Sequence, residues 1–195
     1  MLIKQTVDVS QPIESVWEFF GDIPQVAACL PGANLNEEVG ENKYRGDVVI
    51  KAGPVKLEFA GLAEIKDRND ATKTITVAAS GADKKGRGEA SMLLGAVLTP
   101  SGGGTRVDIS LDLTISGAAA QYGRGLVSDV TSVLVSQFAE SMQNRLSAIA
   151  QGLDPNAVAG AKPASGLAIG LRALRMALVR VFSRFFLPYQ PQPSR

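Results

Sequence analysis

The sequence contains no histidine and a single cysteine, Cys29, in 195 residues. Without histidine the commonest general base and the commonest metal ligand near neutral pH are gone. Cys/His zinc patterns and Ser-His or Cys-His nucleophile pairs are thereby excluded. One thiol forms no disulfide within the chain, which points to a cytoplasmic setting. Aromatic residues make up only 6% of the chain, against 20 glycines. A core short of rings and rich in Gly and Ala has space to leave unfilled. Met1 runs straight into strand-like sequence without a basic segment and long apolar stretch, so no signal peptide is expected.

Acids are missing from residues 155–195, which carry Lys162, Arg172, Arg175, Arg180, Arg184 and Arg195, a charge of +6. Residues 1–154 hold 14 Lys and Arg against 19 Asp and Glu, a charge of −5. The overall +1 therefore hides a split, and a basic tail on an acidic body suggests that the tail meets an anionic surface. The acidic body argues against a nucleic-acid-binding face. With 45% hydrophobic and 20% charged residues, most of the chain is expected to bury a core. The length suits one domain of about 150 residues plus an appendage.

Hydrophobic periodicity gives the element order. Leu2–Val9 alternates as a strand. Ser10 offers an N-cap for a short helix near Pro12–Phe20, and Ile23–Leu30 makes a second short helix, stopped by Pro31-Gly32. Six strands follow, near Asn34–Val39, Tyr44–Ala52, Val55–Arg68, Lys73–Ser80, Arg87–Leu98 and Thr105–Ser116, separated by turn signals. Short connections make the sheet antiparallel. A long helix is expected from about Ala119 to Gln151, with Leu126, Val130, Leu134, Phe138, Met142 and Leu146 as an i, i+4 stripe and Asp129, Glu140 and Arg145 off it. This is an α+β arrangement with helices on one face of an antiparallel sheet.

Four stretches resemble a known family: VWEFFGDIPQVAACLPG at Val16–Gly32, GDVVIKAGPVKLEFAGLAEI at Gly46–Ile65, GGGTRVDI at Gly102–Ile109 and SGAAAQYGRGLV at Ser116–Val127. Together they resemble the CoxG family of carbon monoxide dehydrogenase subunits, in the START/Bet v 1-like (SRPBCC) superfamily. The resemblance covers roughly residues 1–150. It implies a helix-grip fold: a curved, seven-stranded antiparallel sheet wrapped around a long C-terminal helix, with an apolar cavity between them. It also implies an accessory role beside a molybdenum hydroxylase of the carbon monoxide dehydrogenase type. The cargo would be a lipophilic quinone, menaquinone or ubiquinone, carried without a covalent cofactor.

Strand parity names the inward faces. Leu57, Phe59, Gly61, Ala63 and Ile65 share one; Gly88, Ala90, Met92, Leu94, Ala96 and Leu98 another; Val107, Ile109, Leu111, Leu113 and Ile115 a third. Small residues in these sets either draw the helix close or leave a void; the resemblance favours the void. The expected lining is Phe59, Met92, Leu94, Leu111, Leu113, Leu126, Val130, Leu134 and Phe138, with Phe19, Phe20 and Leu30 capping one mouth. Tyr122, beside Arg124, is the candidate contact to a polar head group. No catalytic and no metal-ligating residue is expected. Asp108 with Asp112 and Glu58 with Glu64 have outward parity and read as solvated surface. Lys84, Lys85 and Arg87 read as a solubilising turn or an acidic partner's docking point. Cys29 and Trp17 read as core, and Gly102–Gly104 as a hairpin turn rather than a phosphate loop.

The domains follow: a helix-grip ligand-binding domain over residues 1–151, a flexible linker over 152–165, a basic amphipathic helix over 166–187 and a disordered end over 188–195. At about 100° per residue, Leu167, Leu171, Leu174, Leu178, Val181, Phe182 and Phe185 fall within one arc of roughly 100°, and Arg172, Arg175, Arg180 and Arg184 lie outside it. Each Arg would cost about 2.5–3.5 kcal/mol at a bilayer centre. Lying in the interface, each gains about 1 kcal/mol on anionic lipid. The expected placement is peripheral, on the inner face of the cell membrane. Docking on a partner protein or on this domain's own surface remain the other readings of the tail. For the whole chain, the rivals to a quinone carrier are a scaffold that recruits the dehydrogenase without carrying a ligand, and an enzyme such as a cyclase.

Overall fold

The computed structural model describes residues 1–52 and 55–157. Its elements are β1 (Leu2–Val9), α1 (Ile13–Phe19), α2 (Ile23–Cys29), β2 (Ala33–Gly40), β3 (Lys43–Ala52), β4 (Val55–Asn69), β5 (Thr74–Asp83), β6 (Glu89–Ser101), β7 (Gly104–Ile115), a 3-10 turn (Gly117–Tyr122) and α3 (Gly123–Ala150). The seven strands form one antiparallel sheet in the order β1-β7-β6-β5-β4-β3-β2. Five hairpins build it; the two short helices carry the chain from β1 to β2 at the opposite edge, and β7 closes the sheet against β1. At the β6–β7 turn, Gly102 and Gly103 both have positive φ, 55° and 84°, as the tightest hairpin connections require. At the β4–β5 turn, the Asn69 side chain accepts the backbone N–H groups of Ala71 and Thr72, each at 3.0 Å, which closes the loop locally.

Several local readings need correction. The Ser10 side chain caps nothing: the cap position of α1 is Pro12, without a side-chain bond, and the Ser10 N–H donates to Gln143 Oε1 at 2.7 Å. The α2 cap is instead Asp22, which accepts the Gln25 N–H at 3.1 Å. The long helix begins at Gly123, after a separate 3-10 turn, rather than near Ala119. Arg145, placed off the apolar stripe, is buried at 4% exposure. Its Nη1 donates to Gln25 Oε1 on α2, and its Nε has no hydrogen-bond partner among the described residues. The α2–α3 contact covers that side of the helix, so the buried face is wider than the Leu126–Leu146 row.

The core gathers at one end of the sheet. Val9, Ile75, Ala96, Leu98 and Val107 supply its floor, Val16, Trp17 and Phe19 of α1 its side, and Met142 and Leu146 of α3 its roof. Cys29 is fully buried among them. Burial pushes its thiol pKa up, while the Ser141 hydroxyl and the Arg145 charge act in the opposite direction. Trp17 donates its Nε1–H to Asp70 and lies under the Arg68 guanidinium, 4.6 Å from the ring centre. These partners confirm the ring as core. The first residues expected to be linker are bonded to this end: Asn156 accepts from Gln25 Nε2 at 3.1 Å. The tail helix expected over 166–187, with Leu171, Arg172, Leu174, Arg175, Leu178, Arg180, Phe182, Arg184 and Phe185, lies outside the described residues. No described helix is long and apolar enough to cross a membrane.

Candidate ligand-binding site

The inward parity holds along the three long strands. Register puts Met92 opposite Leu113 and Leu94 opposite Leu111 across β6 and β7, with Ala79 and Val77 on the β5 side and Ile3 beyond Leu111. Four of the expected lining residues thus form two adjacent cross-strand pairs. Leu111 is buried, whereas Met92, Leu94, Leu113 and Phe59 are half-buried. On α3, Val130 is buried and Leu134 half-buried; Leu126, nearer its start, is 36% exposed. Helix α3 runs closest to the edge strand β1, where Gln5 Nε2 donates to Ser132 Oγ at 2.7 Å.

Small residues cross the sheet beside these pairs. Gly46, Gly61 and Gly81 stand side by side on β3, β4 and β5, with Ala90 next in the row on β6. The two readings of such residues, a close helix or a void, can be tested at Gly61. A Cβ there would collide with the Ser80 carbonyl oxygen and come within 2.7 Å of Gly81 Cα. The neighbouring strand, not the helix, makes that position a glycine. Gly61 serves a tight strand approach, as expected where a sheet bends, and it brings no bulk to the inner face.

The other expected site residues fall elsewhere. Phe19 is a core residue at 4% exposure. Phe20 and Phe138 pack on that core, their ring centroids 6.3 Å apart. Leu94 also packs against it and marks the boundary. Leu30 is 43% exposed. The side chains of Tyr122 and Arg124 lie outside the described residues.

One charged inward residue escaped the sequence reading. Asp83 ends β5 on the inward parity, and its side chain is fully buried. It accepts from Arg87 Nε and Nη2, at 2.8 and 2.7 Å, and from the backbone N–H groups of Glu58, Lys85 and Arg87. The Arg87 hydrogen bonds hold its carboxyl well below the usual carboxylate range, and the backbone donors add to this. Arg87 also donates to the Lys56 carbonyl at 2.8 Å, so the β5–β6 hairpin is tied to β4. Asp83 is thereby committed to structure and offers no free general base. Lys84 pairs with Asp47 at 3.0 Å. Glu58 pairs with Lys56, and Glu64 with Lys43 and Lys66; these neighbours lower both carboxyls, the Lys56 and Lys66 hydrogen bonds most. They are surface pairs. Among the described residues, no group of three or more His, Cys, Asp or Glu is placed to hold a metal.

Solved structures with the same architecture include a conserved protein of Geobacillus kaustophilus, at 22% identity and a TM-score of 0.69, over 75% of this chain and 95% of that one. The ZhuI aromatase/cyclase of Streptomyces sp. R1128 aligns at 14% identity and a TM-score of 0.56, over 77% and 95% of the two chains. Ara h 8.0201 aligns at 16% identity and a TM-score of 0.51, over 76% and 98%. Likeness at this identity carries the fold alone. No curated protein matches the chain. Sheet, helix and half-covered apolar face together define a helix-grip protein of the START/Bet v 1-like class. Within that class, residues 6–147 match the family of the carbon monoxide dehydrogenase CoxG subunit. The chain belongs to that family.

Proposed function

We propose that this protein is a non-catalytic carrier for a lipophilic quinone, menaquinone or ubiquinone, serving a molybdenum-containing dehydrogenase of the carbon monoxide dehydrogenase type. The observation that supports the reading is the half-buried apolar row of Phe59, Met92 and Leu113 on the inward face of the sheet. An apolar concave face with few polar groups suits a hydrophobic ligand. Family membership supports an accessory role beside the dehydrogenase. The tail, with its apolar arc and four arginines, attaches the carrier to anionic lipid at the inner face of the membrane. There it raises the local concentration of carrier where quinone resides.

An enzymatic reading has little to work with. The chain has no histidine, and its buried inward acid, Asp83, is held by Arg87 and three backbone donors. Native mass spectrometry of the full-length protein, followed by lipid extraction, tests carriage. One quinone per chain is expected. A folded protein that neither retains nor takes up menaquinone or ubiquinone would leave the scaffold reading in its place.

A further inference from the structure

A groove of about 640 Å³ opens where the α1–α2 turn faces the β2–β3 hairpin. Ile23, Pro24, Leu35 and Tyr44 give it apolar surface, and Glu18, Asp22, Glu37 and Glu38 give it carboxylates. No Lys or Arg lines it, and none of the expected quinone-lining residues does. It is therefore separate from the inner face of the sheet and has a different chemistry: apolar and anionic together.

The described chain ends beside this groove. Asn156 is bonded to Gln25 of α2 at 3.1 Å, and Gln25 directly follows the groove residues Ile23 and Pro24. Residues 158–165 reach about 26–29 Å when extended. The segment after them is the apolar and cationic one: residues 166–187 hold Arg172, Arg175, Arg180 and Arg184 with seven apolar residues on one arc, and no acid. A short connection of this kind sets an effective concentration on the order of millimolar, so even a weak match is populated. Arginine is suited to paired hydrogen bonds with carboxylates, and Glu18 and Glu38 are exposed and available for them.

The geometry points to this groove as the docking site of the chain's own residues 166–187. The arginines lie beside Glu18 and Glu38, since Glu37 already pairs with Arg45 and Asp22 accepts the Gln25 N–H, and the leucine and phenylalanine arc covers Ile23, Pro24, Leu35 and Tyr44. The same arc is the one that would enter a lipid interface, so groove and membrane compete for it. Away from anionic lipid the tail is sheltered on the body; at an anionic surface, phosphates replace the carboxylates.

Two measurements on the full-length chain test this. In amide spectra, exchanging Arg172, Arg175, Arg180 and Arg184 for Gln is expected to move the resonances of residues 18–24, 35–38 and Tyr44, and high salt is expected to reproduce the change. In sedimentation with phosphatidylglycerol–phosphatidylcholine vesicles, Glu18→Gln with Glu38→Gln is expected to tighten binding several-fold by freeing the tail. Both acids are exposed, so the fold is left intact. Identical groove resonances in the parent and the four-Gln chain overturn the docking, as does vesicle binding unchanged by the acid substitutions. Groove shifts that grow with protein concentration assign the site to a second copy's tail and overturn docking within one chain. If no variant binds vesicles, the membrane part of the proposed function fails, and the groove resonances alone decide the docking.

Discussion

The two ends of the sheet carry the same alternation of apolar and polar residues and are packed differently. At one end Val9, Ile75, Ala96, Leu98 and Val107 lie under α1 and the second half of α3, each at 4% exposure or less. At the other end Phe59, Met92 and Leu113 have the same parity and remain half-buried. Alternation selects a face; it does not say what covers that face. The closed end is covered because α1 brings Trp17 and Phe19, and α3 brings Met142 and Leu146. At the open end the row of Gly46, Gly61, Gly81 and Ala90 adds no bulk.

The strongest break in the comparison comes from one methionine at each end. Met142→Ala, at 1% exposure, is expected to cost about 2–5 kcal/mol, as buried large-to-small changes do. Met92→Ala is expected to cost less, about 1 kcal/mol, because part of the half-buried Met92 side chain already meets water. Urea unfolding of both variants measures the difference. Equal losses would mean that the open end is packed as tightly as the closed one.

Acid should loosen the open end first. The carboxyl of Asp83 is lowered chiefly by Arg87, so its stabilisation is complete above the unfolded carboxylate value of about 4 and is lost as pH falls through the lower folded value. Hydrogen exchange is expected to show the amides of Glu58, Lys85 and Arg87 losing protection on acidification while those of α1 and the core strands keep theirs. Asp83→Asn removes the charged acceptor at every pH. It should lower stability near neutrality and flatten the acid limb of the stability curve. An acid limb as steep in that variant as in the parent would place the acid sensitivity elsewhere.

These contrasts follow what the sequence made legible and what it did not. The order of elements along the chain and the strand parity were readable because period-2 alternation and glycine turns are local signals, whereas the helix-grip layout was implied by the family resemblance. The buried Trp17 and Cys29 were readable from apolar helical context. Arg145 was not: its burial depends on Gln25 and Asn156, 120 residues upstream and 11 downstream, and no local pattern encodes that meeting. The strand expected over Lys73–Ser80 stops short of Asp83, although β5 continues through it on the inward parity. The signal available was Arg87 four residues later, the partner that makes its burial tolerable. Glycine rows were ambiguous for a physical reason, since absence of a side chain serves a bent sheet and an open space equally well.

The smallest expected change in stability is also the sharpest test of the open end. Ala90 is half-buried on the inward face of β6, between Gly81 and Ile115. A phenyl ring placed there must either enter existing space or force its neighbours apart. In a filled core, overpacking costs about 1–3 kcal/mol. In an open one the ring is accommodated, and its apolar area, once covered, offsets part of any strain. Ala90→Phe is therefore expected to leave the urea midpoint nearly unchanged while preventing quinone retention in native mass spectrometry. Circular dichroism accompanies the measurement, so that lost binding is read only from a folded chain. A stability loss of about 1–3 kcal/mol with quinone still retained would show the space at this end to be closed and the ligand to sit elsewhere. Full stability with full retention would also move the ligand away from β6 and erase the functional side of the comparison between the two ends.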